Sequence, residues 1–100
     1  MNVIGNEGVG MRIWFKIFDN THLIQDETIE NNDNDTRTHK VFDALAEACN
    51  RFDLSQPIWL ESNVAEFQKR ARTRFTKDNF VDDIDFDYLE IQVIEEDGDY

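Results

Sequence analysis

One hundred residues with 40% hydrophobic and 12% aromatic side chains, and eight Phe against four Gly and one Pro, are enough for one core and exclude a second independent one. The same balance excludes a low-complexity chain. With 22 acidic residues against 10 basic ones, the net charge of -12 opposes direct binding to nucleic acid or to an anionic membrane surface.

Residues 1–10 contain Gly5, Gly8 and Gly10 and show no periodicity, so a disordered leader is expected there, with one domain over 11–97 and a frayed tail at 98–100. The leader lacks a basic segment followed by an apolar run, and no window nears the roughly 20 apolar residues of a membrane helix. The single cysteine, Cys49, has no partner for an internal disulfide. A reducing, cytoplasmic setting is expected.

The segment 11–18 (MRIWFKIF) alternates as a strand, with Ile13, Phe15 and Ile17 on one face and Arg12, Trp14, Lys16 and Phe18 on the other. Asp19, Asn20 and Thr21 supply a turn, and 22–30 reads as a polar edge strand that completes a hairpin. The run 31–36 (NNDNDT) ends in two good helix-capping residues. From Thr36 onward Val41, Leu45, Ala48 and Phe52 make a helical stripe, widened by Phe42 and Cys49 and opposed by Lys40, Asp43, Glu47 and Asn50. Pro57 stops the helix, and 58–60 (IWL) is too short to be more than a buried connector or a short strand. A second helix is expected from Ser62 or Asn63, with Asn63 and Glu66 as a capping box and Val64, Phe67, Ala71 and Phe75 on its apolar face. The last strand is 88–95, where Leu89, Ile91 and Val93 alternate with Glu90, Gln92 and Glu95. The fold class is therefore α+β: a small, mainly antiparallel sheet with two helices packed on one face, and the first and last strands as neighbours.

The polar loop invites a calcium reading, because a hard cation wants alternating oxygen donors. Its spacing argues against an EF-hand: counted from Asn31, the sixth position is Thr36 and the twelfth is Phe42. His22 and His39 have no metal-ligand partner at suitable spacing. His39 and Cys49, ten positions apart on one helix, lie about 15 Å apart along its axis, too far for a nucleophile and its base. With no phosphate loop or catalytic elbow in the sequence, no enzymatic activity, cofactor, metal or small-molecule ligand is expected.

Two surface features remain. The face carrying Trp14 and Phe18, continued by Tyr88 and Ile94 on the last strand, is half apolar where an exposed sheet face is normally polar. Either a partner protein covers it, a second copy of the chain included, or the 58–60 segment or the leader folds across it. The second feature is charge: Lys69, Arg70, Arg72, Arg74 and Lys77 form an acid-free run, whereas 78–100 holds ten acids and no base. Internal pairing is expected for Arg72 and Arg74. The acids Asp82, Asp83, Asp85, Asp87, Glu95 and Glu96 form a candidate acidic surface, and they support an alternative reading as a nucleic-acid mimic that inhibits a basic enzyme.

The stretches DTRTHKVFDAL (35–45), FDLSQPIWL (52–60), TRFTKDNF (73–80) and FDYLEIQVIEED (86–97) are similar to short, acidic bacterial proteins without an assigned activity. The resemblance spans 11–97. It implies a bacterial cytoplasmic origin and carries over no functional residue.

Overall fold

Alternation in the first nine residues of regular structure places Met11, Ile13, Phe15 and Ile17 of strand β1 (Met11–Asp19) at 0–3% exposure on one side. The computed structural model of the chain describes residues 10–96, so the expected leader up to residue 9 and the expected tail lie outside the described residues. Gly10 is buried, and a Cβ there would meet the side-chain oxygen of Asn32 at 1.3 Å, so no larger residue fits without movement.

A two-residue turn joins β1 to β2 (His22–Asn31), with Asn20 at φ 53° and Thr21 at φ 65°. Positive φ at both central positions is what a tight hairpin between right-twisted strands requires, although Gly fits it better than Thr. Strand β2 forms one edge of the sheet. On the other side of β1 lies the last strand, which pairs antiparallel with it as the sequence pattern predicts. The full order is β2-β1-β4-β3, where β3 is Arg72–Phe75 and β4 is Tyr88–Glu95, and every neighbouring pair is antiparallel.

Helix α1 (Arg37–Phe52) begins where the Thr36 hydroxyl accepts from the His39 N–H at 3.2 Å and ends at Asp53 in the left-handed region. It lays Val41, Ala44, Leu45, Ala48 and Cys49 onto the inner sheet face, and Arg51 ties it to β2 through Glu27 at 2.8 Å. Two stripe positions differ from expectation. Lys40, expected on the wet face, is only 4% exposed, because a lysine's long stem can be covered along the helix flank. Phe42, expected to widen the core stripe, is 47% exposed and meets the Trp59 ring instead.

The connector 58–60 forms no strand, and of its residues, expected to be buried, Ile58 and Leu60 are exposed. Its Trp59 packs edge-on against Phe67 and Phe75, with centroids at 5.4 and 5.0 Å, so the segment belongs to the helix side and does not cross the other sheet face.

Helix α2 (Glu61–Arg70) is shorter than the apolar spacing suggests. Ala71 turns the chain at φ 58°, and the expected last helical turn is instead β3. The reason is cooperative: Arg-Thr-Arg-Phe alternates with period two, burying Thr73 and Phe75, and the ladder to β4 gives its backbone partners. Asn63 is not the cap but the third helical residue, with its Oδ1 accepting from the Leu60 N–H at 3.1 Å. Its Nδ2 donates to the Thr73 hydroxyl and to the Arg74 carbonyl, both at 2.9 Å, and Asn79, in a short 3-10 turn (Lys77–Asn79), donates to Asn63 Oδ1 at 2.7 Å. These buried amides bind α2, the turn and β3 into one unit.

Candidate functional site

The two helices pack on the face of Ile13, Phe15, Leu89 and Ile91, which among the described residues leaves the opposite face of the sheet to its own side chains. Strand register sorts that face into rows. One row runs Asp26, Lys16, Glu90, Arg74 across β2, β1, β4 and β3, and the next runs Thr28, Trp14, Gln92, Arg72. Beyond the first row, Phe18 pairs with Tyr88, and beyond the second lie Arg12 and Ile94, where β1 and β4 shift register.

The row of charges is the centre of the face. Lys16 Nζ reaches Glu90 Oε2 at 3.0 Å and Gln92 Oε1 at 2.7 Å, and Arg74 Nε donates to Glu90 Oε1 at 3.2 Å. Both side chains of the Lys16–Glu90 pair are 8% exposed, although among the described residues no second layer of backbone lies over them. The shield is aromatic: Lys16 Nζ stands 4.0 Å from the Trp14 ring centre, and the Arg74 guanidinium 4.5 Å from that of Tyr88. Burial alone raises the Glu90 pKa, but the donors Lys16 and Arg74 and their charges outweigh it, and the carboxyl titrates below its ordinary 4.5.

Around this row the four expected contact residues fall into two groups. Phe18 and Tyr88 stack at 5.2 Å on one side. Trp14, whose Nε1 donates to Asp26 Oδ2 at 2.8 Å, lies with Ile94 on the other. Trp14, Phe18 and Tyr88 are half-buried, and Ile94 is 43% exposed. The face is thus two apolar patches divided by an ionic band.

The acidic residues do not gather. Asp82, Asp83, Asp85 and Asp87 are exposed in the loop before β4, where Asp87 accepts from the Asn20 N–H, while Glu95 and Glu96 sit about 26 Å along the strand at the far end. There Glu95 pairs with Arg12 and Glu96 with Arg37. Of the two arginines expected to pair internally, Arg74 does so with Glu90, whereas Arg72 forms no ion pair among the described residues. Among those residues, no three His, Cys, Asp or Glu side chains converge as a metal site would need. No helix among them is long and apolar enough to cross a membrane. Cys49 is 1% exposed, and burial pushes its thiol up to about 11.

Two arrangements escaped the sequence pattern. The Lys16–Glu90–Arg74 band is one, and its trace was the period-two spacing of Arg72 and Arg74. The other is a groove of about 160 Å³ between α1 and α2, formed by Phe42, Trp59, Val64 and Phe67, beside which the buried Trp59 indole N–H has no acceptor among the described residues. Its trace was the exposed apolar pair Phe42 and Val64, both assigned by spacing to the core. Comparison of the chain with protein-family models, with curated proteins and with solved structures finds no match.

Proposed function

We propose that this protein is a non-enzymatic interaction module that self-associates through the open face of its sheet, with Trp14, Phe18, Tyr88 and Ile94 as the apolar contacts. The observation that carries the reading is that the charges at the centre of this face are already dehydrated. A partner laid over an exposed ion pair must strip its water, at a cost that often cancels the gain. Lys16 and Glu90, at 8% exposure, have lost most of theirs within the monomer. The flanking rings then contribute apolar burial at little further expense, and aromatic residues are the ones that concentrate binding energy. A bacterial cytoplasmic setting suits the lone, buried thiol of Cys49.

Sedimentation equilibrium of the wild type and of Trp14→Ala tests this. We expect wild-type association in the range of about 10–100 μM and a loss of about tenfold or more in Trp14→Ala. A wild type that stays monomeric throughout that range removes self-association as the function.

A further inference from the structure

The charge band also dictates how a second copy would sit, an inference that rests on the open-face reading above. We propose a symmetric dimer, sheet face on sheet face, about a two-fold axis that lies between the sheets and runs parallel to the strands.

The argument is one of order and sign. Across the sheet the band reads Asp26, Lys16, Glu90, Arg74, that is, minus, plus, minus, plus. A two-fold axis along the strands keeps every residue at its own level and reverses the strand order, so each position meets its opposite in the partner. Asp26 of one copy faces Arg74 of the other, and Lys16 faces Glu90. At the next level Phe18 faces Tyr88, which brings both stacked ring pairs together at the axis. The rotation of about 30° usual between packed sheets displaces the outermost strands, some 7 Å from the axis, by only about one residue. An arginine spans that distance.

Other symmetric arrangements fail the same test. An axis lying across the strands keeps the strand order, and it sets Arg74 on Arg74 and Asp26 on Asp26. Edge-to-edge pairing through β2 brings together two copies of a strand that carries Asp26, Glu27 and Glu30. At the other edge, the Arg74 carbonyl of β3 is already taken by Asn63. Because the whole chain carries -12, two copies repel over most of their surfaces, and a self-complementary band is where that repulsion is lifted. Four strands about 4.8 Å apart and up to about eight residues long give a footprint near 500 Å² per copy, or about 1,000 Å² in all. That is the lower limit for a specific dimer and fits an affinity in the micromolar range.

Within one copy Asp26 and Arg74 are three strand spacings apart, about 14 Å, so any strong coupling between them is intermolecular. The test is therefore a charge swap split between two chains. Asp26→Lys and Arg74→Glu each place like charges on both sides of the axis and should weaken self-association about tenfold or more. Mixed in equal amounts, the lysine introduced in one chain meets the glutamate introduced in the other, and the unmutated Arg74 and Asp26 also face each other. The heterodimer should recover to within about threefold of wild type by sedimentation of the fluorescently labelled Arg74→Glu chain.

Circular dichroism melts establish that each variant is folded, since Arg74→Glu puts a second acid beside Glu90. Should that variant unfold, Thr28→Lys with Arg72→Glu replaces the pair, both positions being exposed and free of ion pairs among the described residues. Thr28→Lys alone sets two like-charge contacts across the axis, and mixing, which replaces them by one contact of opposite charges and one neutral contact, should tighten association about tenfold over that homodimer. A wild type that dimerises and is weakened by Trp14→Ala, but whose charge variants gain nothing on mixing, overturns the axis and leaves the face reading intact. A monomeric wild type removes both.

Discussion

On one side of β1, Phe15 is shut off from water beneath the helices; on the other, its neighbour Lys16 is 7% exposed, and among the described residues it lies beneath nothing but the side chains around it. The inner face achieves burial with a second layer of backbone, and the chemistry there is interchangeable: Ile13, Phe15, Leu89 and Ile91 need only fill volume. The outer face achieves it with long side chains that shield one another, and each depends on an identified partner. A sheet can thus be covered twice, once by shape and once by paired charge, and the second cover is thin enough to be a contact surface.

The comparison breaks most visibly at Phe15. Phe15→Ala opens a cavity under α1 and should cost about 3–5 kcal/mol in urea unfolding, enough to threaten folding altogether. On the outer face, Glu90→Gln leaves the Lys16 ammonium buried without its counter-charge, and we expect a loss of about 1–3 kcal/mol at pH 7. The pH dependence sharpens this. Because the folded-state pKa of Glu90 lies below 4.5, its contribution is present above 4.5 and disappears as the pH falls through the lower folded value. Urea midpoints measured between pH 7 and pH 3 should therefore fall more steeply for wild type than for Glu90→Gln, and equal slopes would show that the ionised Glu90 carboxylate adds nothing to stability. The smallest effect belongs to the rim of the outer face: Ile94→Ser, at a side chain 43% exposed, should change monomer stability by no more than about 0.5 kcal/mol while weakening association.

How much of this was readable in the chain follows from how local each determinant is. The alternation of Ile13, Phe15 and Ile17 and of Leu89 and Ile91 identified β1, β4 and the face they share, because the pleat alone decides it. The stripe of Val41, Leu45, Ala48 and Phe52 gave α1 for the same reason. Strand β3 was hidden because Phe67, Ala71 and Phe75 also fit a helical spacing, and what ends the helix at Ala71 is a ladder to residues 14 to 20 positions downstream. Lys40 departs from the pattern because its burial depends on neighbours rather than on period, and Asn63 because the helix starts at Glu61, which makes it the third helical residue instead of the cap. On the outer face, Trp14, Phe18, Tyr88 and Ile94 were recognised as one surface, but its division by the charge band depends on register. Whether Lys16 meets Glu90 or its neighbour is a matter of one residue's slip.

The amide pair Asn63 and Asn79 has a consequence in time as well as in space. Their bonds to Thr73, to the Arg74 carbonyl and to each other span 10, 11 and 16 residues, whereas the Lys16–Gln92 contact closes a loop of 76. Short loops cost less entropy to close, and the β3–β4 ladder spans only 14 to 20 residues, so the stretch from Leu60 through β4 can assemble while β1 and β4 are still apart. Amides of Phe67, Ala71 and Thr73 would then gain exchange protection together, ahead of the β1–β4 ladder in a refolding pulse, and the sheet would close onto an edge already built.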